Sequence, residues 1–423
     1  MSRVVVMGSG ETAPTMVRVH RDVLAGCPDG PAVLVDTPFA FQMNRDELVA
    51  RTQVYFAQSV GRDVEVAAWP PREAGAAAEE RTLALLDRAA WAFAGPGSPT
   101  YALDRWRGTP VPAALLSVVR RGGTLVMGSA AALTLGSHAV PVYEIYKVGA
   151  APDWVAGLDL LGELAGIPVA VIPHYDNAEG GSHDTRFCYL GEPRLEMLED
   201  RLPDEVGVLG VDEHTAVVLD LEDSSVRVLG NGTMSVRRRA LTRTFGAGER
   251  LALADLAGLL RGDEALAAGS PSTAPAAVVE GDTETREGTD HAMPSLRHEA
   301  DAARAAFDAA LARRDVDGCV TAVLGLEESV AAWRADTLQS DDMDEARRVL
   351  RALVVRLGEL AVGGARDPRE QLAPYVDLLL DLRTTARDQR DFATSDKVRD
   401  RLTDLGVEVH DTPDGPSWEL PGV

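Results

Sequence analysis

The sequence predicts an α/β portion with a mainly parallel sheet flanked by helices. An all-α helical bundle with a small extended end piece is expected to follow it. Three observations carry this expectation. Across residues 1–265, short apolar runs alternate with helical patterns, which is how a chain lays down strand–helix–strand units. Across 267–295 the composition turns to Ala, Ser, Thr, Pro, Gly and acid without periodicity, so a disordered linker is expected over 266–295. From 296 onward the apolar spacing is helical, as with Phe307 and Leu311, four residues apart.

The elements follow in order. "RVVVMG" (3–8), "AVLVDTP" (32–38), "VEVAAW" (64–69) and "AWAFAGPG" (90–97) read as four strands. Helices fit between them, over 44–60 and 77–90. "GTLVMG" (123–128) is a fifth strand, and it runs straight into Ser129 and the small-residue helix "SAAALTLG". "IPVAVIPHY" (167–175) is a sixth. Residues 207–238 read as a late strand series with turns at Asp223-Ser224 and Asn231-Gly232. In the tail, "YVDLLLDLRTTARDQRDFATSDKVRDRL" holds two helices, the second capped near Asp391 and stopped at Gly406. Two short extended pieces then flank Pro413-Asp414-Gly415.

The totals narrow the function. A chain of 423 residues suggests two or three domains. The formal net charge of −24 repels phosphate backbones unless a local basic stripe offsets it. Cys27, Cys188 and Cys319 are odd in number and far apart, which argues against a disulfide framework or a zinc site and fits a reducing cytoplasm. "MSRVVVMGSGE" enters a strand at once, so no signal peptide is expected, and no apolar run reaches the ~18 residues of a membrane span.

The corner at Ser129 has two readings. Small residues let a helix pack close to a sheet, and such corners are often structural. Equally, a strand–serine–helix corner lifts a hydroxyl out of the sheet edge beside backbone N–H groups. Chemistry would need a base, a carboxylate to orient it, and donors for an oxyanion. His174 ends the apolar strand 167–173 and would share the carboxyl edge of a parallel sheet with Ser129. Asp212, Glu213 and Glu144 are the carboxylate candidates. The oxyanion donors could be the N–H of Ala130 and one from "GPGSP" (95–99), where Pro96 has none and Gly97 or Ser98 is the choice. "GSGE" (8–11) is a short glycine loop that on its own signals only a tight turn.

Order along the chain adds to this. "AFAGPGSPTYAL", "GTLVMGSAAA", "IPHYDNAEGGSHDTR", "GVDEHTAVVLD" and "VLGNGTMSV" occur in the order found in the peptidase E/cyanophycinase family. Residues 1–240 resemble that family, serine hydrolases with a fold like class I glutamine amidotransferases. The resemblance implies Ser129 as nucleophile, His174 as base, and Gly97 in the loop that supplies an oxyanion donor. It implies Glu213 as the third member, with Glu144 in reserve. Two family features are replaced here: the aspartate before Pro141 is absent, with Ala139 in its stretch, and Ala131 stands for a glycine. An active hydrolase of short peptides or amide-linked amino acids and a catalytically silent, ligand-sensing relative are both compatible with that pattern. No metal or organic cofactor is called for.

Glu144, Lys147, Asp176, Asn177 and Arg186 form a polar group beside the corner that could grip a charged substrate, or could simply be a solvated rim. The tail run "LLLDLRTTARDQRDFATSDKVRDRLTDLGVEVHDTPDGPSWEL" (378–420) resembles the C-terminal, anticodon-binding region of cysteinyl-tRNA synthetases. No counterpart of their catalytic half is found. Residues 294–423 carry 17 Lys and Arg against 26 Asp and Glu, a net of −9. tRNA binding would need Arg383, Arg387, Arg390, Lys397, Arg399 and Arg401 on one face, with Trp418 beside the RNA. The plainer expectation is that Trp418 packs on the last helices and the bundle docks a protein. An oligomer is compatible with the sequence.

Overall fold

The computed structural model describes residues 2–70, 76–178, 183–239, 241–263, 295–333, 342–364, 368–412 and 415–421. The chain divides into two compact units, residues 1–303 with 325–347, and residues 304–324 with 348–423. The expected linker, apart from Ser295, and the Pro413-Asp414 turn lie outside the described residues.

The first unit contains strands β1 (Arg3–Met7), β2 (Ala32–Val35), β3 (Val64–Ala67), β4 (Trp91–Ala94) and β5 (Thr124–Gly128). They continue with β6 (His138–Ala139), β7 (Val155–Ala156), β8 (Val169–Ile172), β9 (Gly207–Val211), β10 (Thr215–Asp220) and β11 (Ser225–Gly230). The last are β12 (Thr233–Arg238), β13 (Leu241–Gly246) and β14 (Arg250–Ala252). One sheet has the order β14-β11-β10-β1-β5-β4-β2-β3, the other β13-β12-β9-β8-β6-β7. β1, β5, β4, β2 and β3 run parallel, as do β6, β8 and β9. β10, β11, β12, β13 and β14 add antiparallel partners, so both sheets are mixed.

The sequence dictates the parallel centre. Val4, Val5, Val6 and Met7 of β1 are all fully buried. Val4 and Val6 enter one apolar cluster while Val5 and Met7 enter another, because alternate side chains of a strand face opposite ways. A strand covered on both faces reads as a continuous apolar run, which is what a helix-flanked parallel sheet produces. The antiparallel part has a local cause as well. β10 returns to β11 through a turn in which Ser224 has φ +50°, a tight hairpin. The Asn231-Gly232 turn does something different: it passes the chain from β11 in one sheet to β12 in the other.

In the second unit the helices Pro368–Asp388 and Phe392–Asp404 are followed by a hairpin of β15 (Glu408–Thr412) and β16 (Gly415–Glu419). Asp391 caps the second helix by accepting from the Thr394 N–H at 3.1 Å, and Gly406, at φ +84°, ends it. Val376, Leu380, Leu402 and Val407 form its core, with Trp418 and Leu420 packed against them.

Candidate active site

Four chain segments leave the ends of β1, β5, β8 and β9 and converge. Backbone hydrogen bonds tie them together: His174 N–H donates to the Gly8 carbonyl at 3.3 Å, His214 N–H to the Ser9 carbonyl at 3.3 Å, and Tyr175 N–H to the Val211 carbonyl at 3.1 Å. Gly8 must be glycine, since a Cβ there would lie 1.9 Å from the Asp212 carbonyl oxygen. The GSGE loop is thus the joint that brings the His174 and Glu213 segments to the end of β5.

Ser129 begins a four-residue helix directly after β5, at φ +48°. His174 also has a positive φ, +48°, and Phe187, Cys188 and Tyr189 form a left-handed run at +61°, +55° and +65°. Non-glycine residues held there are strained, and strain concentrated around one pocket marks a site whose side chains are aimed by their surroundings. Ser129 Oγ lies 2.7 Å from His174 Nε2, and His174 Nδ1 lies 2.8 Å from Glu213 Oε1. Burial pushes the Glu213 carboxyl up, but the hydrogen bond from His174 and the neighbouring charges outweigh it and hold the group below its ordinary value. An ionised Glu213 only accepts, so it keeps a proton on Nδ1 and leaves Nε2 free to accept from the serine hydroxyl.

The other carboxylates are placed elsewhere. Asp212 Oδ2 accepts from the Thr233 N–H and hydroxyl at 2.8 and 2.7 Å. Glu144 accepts from Thr100 Oγ1 at 2.8 Å. Asn177, fully buried, donates to Glu213 Oε1 at 3.4 Å, and Asp176 accepts from the Glu213 N–H at 2.8 Å. Asn177 thus holds the carboxylate of Glu213 and Asp176 its backbone. Lys147 lies over the Tyr143 ring, 4.9 Å from its centroid, and Arg186 is exposed and paired with Asp184 at 2.8 Å. None of the five expected substrate-gripping residues lines the cavity at Ser129.

That cavity has a volume of about 260 Å³. Ser129, Ala130, His174 and Gly97 line it, with Phe39, Pro96, Leu133 and Val142 as apolar wall, and Glu11, Gln42, Arg51 and Tyr189 as polar wall. The Ser98 N–H donates to the Pro38 carbonyl at 2.8 Å, which leaves Gly97 as the candidate donor of this loop. Gly97 sits at φ +139°, where a Cβ would meet the Pro38 carbonyl oxygen at 2.0 Å. Sequence reasoning missed Glu11, Arg51 and Tyr189. Among the described residues no group of three or more His, Cys, Asp or Glu is placed to hold a metal ion.

The chain is similar to two different kinds of protein. Over 60% of its length it resembles the crystal structure of a peptidase from an acI-B1 Actinobacterium, at 21% identity and a TM-score of 0.49, covering 97% of that chain. It resembles a putative peptidase E protein from Listeria monocytogenes over 56% of its length, at 11% identity and a TM-score of 0.35, covering 98% of that chain. It is also 38% identical over 91 residues to the cysteine–tRNA ligase of Porphyromonas gingivalis, 20% of this chain and 18% of that protein. With the ligase of Pseudarthrobacter chlorophenolicus it shares 37% identity over 106 residues, 23% of this chain and 22% of that protein. The chain thus spans about a fifth of the length of these curated relatives. No family model matches the chain.

Proposed function

We propose that the α/β portion is a serine hydrolase that cleaves a small peptide or an amide-linked amino acid. The observation that carries this reading is the unbroken hydrogen-bond chain Ser129–His174–Glu213, at 2.7 and 2.8 Å, ending in a cavity of about 260 Å³. Ser129 Oγ attacks the substrate carbonyl carbon as its proton passes to His174 Nε2. Glu213 steadies the imidazolium. The N–H groups of Gly97 and Ala130 receive the oxyanion. His174 then gives its proton to the leaving amine, and the C–N bond breaks. Water, deprotonated by the same imidazole, hydrolyses the acyl-enzyme and restores Ser129. The small cavity favours a short substrate, and three free thiols favour a reducing cytoplasm.

The test is labelling with a fluorophosphonate probe. Wild type should label, and Ser129→Ala and His174→Ala should not. Labelling that persists in Ser129→Ala, or a folded wild type that neither labels nor cleaves a dipeptide panel, overturns the reading and favours the silent, ligand-sensing one.

For the tail we infer a protein-docking module rather than a tRNA reader. Four of its six candidate basic side chains face acids: Arg383 and Arg387 both meet Asp411, Arg399 meets Asp396 and Asp400, and Arg401 meets Asp404. Paired arginines make a poor electrostatic footprint for a phosphate backbone.

A further inference from the structure

A second and larger cavity, of about 920 Å³, adjoins the triad. Its wall comes from three places in the chain: the helix Arg45–Tyr55, the Glu213-His214 segment, and Leu296, Trp333, Met343 and Arg347 of the helical part. All of these belong to the first compact unit. The α/β portion therefore opens a cavity that the chain beyond residue 295 completes. Trp333 is 6% exposed and stands edge-on to His214, with ring centroids 5.3 Å apart. His214 is fixed in turn, its Nδ1 lying 2.9 Å from Thr15 Oγ1.

Two residues relate this cavity to the one at Ser129. Arg51 lines both. Glu213, which is bonded to His174 Nδ1, lines the larger one. In acyl transfer the imidazole returns the serine proton to the leaving nitrogen, so the leaving fragment lies on the imidazole side of the reacting carbon. The larger cavity is on that side. Its chemistry suits one kind of fragment. Burial holds the His214 imidazole below its ordinary value, so the ring is neutral at pH 7 and the positive charge of the wall is that of Arg51 and Arg347. Of the wall carboxylates, Glu213 is held by His174, Asp342 accepts from Arg297 Nε at 2.8 Å, and Glu47 shares a helix face with Arg51. Arg347 is exposed and makes no ion pair among the described residues, so its guanidinium can take a carboxylate from a ligand. Val54 is 50% exposed and offers apolar surface for a ligand to cover, with Trp333 and Met343 in the same wall.

We propose that this second cavity receives the leaving fragment of the substrate, an amine that carries a carboxylate for Arg347 and a bulky apolar side chain for Val54, Trp333 and Met343. The scissile amide then joins a small acyl residue, seated in the cavity of about 260 Å³, to a bulky amino acid. Water adds to the acyl carbon, the C–N bond breaks, and the nitrogen leaves with the proton from His174 as a free amine. The helical part thereby selects which amine is released.

Calling this fragment the leaving group rests on the hydrolase reading, but its binding does not, and the experiment keeps them apart. Dipeptides ending in phenylalanine, with every common amino acid in first place, are titrated calorimetrically into full-length Ser129→Ala protein. The same series is run with the C-terminal carboxylate amidated, and again with glycine in second place. At least one phenylalanine dipeptide should bind. Amidation should weaken it about tenfold or more, the worth of one hydrogen bond to a charged group. Glycine in second place should weaken it by a similar factor, from the apolar surface left uncovered. In the double variant with Arg347→Ala the difference between acid and amide should shrink about tenfold. The first two comparisons need no change at position 347 and stand whatever that variant does to the fold. Equal binding of acid and amide, equal binding of the phenylalanine and glycine series, an unchanged acid–amide ratio in a folded double variant, or no binding by any dipeptide overturns the proposal. Fluorophosphonate labelling of wild type tests the hydrolase reading separately, because that probe carries neither carboxylate nor amino acid.

Discussion

At the scale of single residues, the site depends on charge placed where water is scarce. Asp176 holds the Glu213 backbone and Asn177 its carboxylate, so Glu213→Gln should keep the geometry while losing the charge proposed to steady the imidazolium. The expected loss is about 10²–10⁴ in the fluorophosphonate labelling rate, with an unchanged unfolding midpoint. An unaltered rate would remove Glu213 from the mechanism. Glu11 gives a second, thermodynamic prediction. Its folded value of about 7 lies above the ordinary carboxyl value of 4.5, so the folded state binds the proton more tightly than the unfolded state does. Stability from this group is complete below about 4.5 and is lost as pH rises to about 7. The loss should amount to about 3 kcal/mol, and Glu11→Gln should flatten that part of the stability–pH curve. Urea denaturation of both proteins between these limits decides it, and parallel curves would sink the assignment.

At the scale of elements, strand ends are what the sequence makes legible. Ser129 and His174 could be placed because apolar runs end just before them, and Glu213 because "GVDEHT" closes a strand in the same way. Lys147 and Arg186 are as close in sequence, but their own neighbours hold them, an aromatic ring in one case and Asp184 in the other. Glu11 was illegible: GSGE looks like any tight turn until the fold buries it beneath β5. The mixed character of the sheets was equally hidden, because Asn231-Gly232 has the composition of a hairpin turn and serves as a crossing between sheets. Gly97→Ala tests the loop proposed to carry the oxyanion donor. Its Cβ would overlap the Pro38 carbonyl, so the loop must shift, and strain of about 1–3 kcal/mol should lower stability while labelling falls. Arg237, at the end of β12, tests the packing behind the site. It is 4% exposed and bonds Glu199 at 2.8 Å and Glu192 at 2.5 Å. Arg237→Met strands Glu199 as a buried unpaired charge and should cost about 3–5 kcal/mol. Adding Glu199→Met should restore most of it, and two independent, additive losses would contradict the pairing.

At the scale of the whole molecule, charge decides what the tail can meet. The chain carries −24 and residues 294–423 carry −9, so a polyanion approaching the tail meets repulsion before it meets any contact. The similarity to cysteine–tRNA ligases over about a fifth of the chain is a likeness of sequence, whereas RNA affinity depends on unpaired cations at the surface. Arg383 is buried and forms a bidentate pair with Asp411 at 2.6 and 2.9 Å, and Arg387 reaches the same carboxylate at 2.9 Å. Asp411 is held well below the usual carboxylate range, first by its hydrogen bond to Arg383, so it stays ionised and offsets one of the two arginine charges at any physiological pH. Trp418, the natural stacking partner for a base, donates to Asp377 at 3.1 Å and packs on the helical core. Filter-binding of bulk tRNA to the full chain should therefore show no retention at ~0.15 M salt, where a protein contacting several phosphates would still bind. Retention that falls steeply with salt would overturn the docking reading. Its disappearance in Lys397→Glu with Arg390→Glu would locate the contact at these two residues, neither of which is among the arginines paired with Asp411.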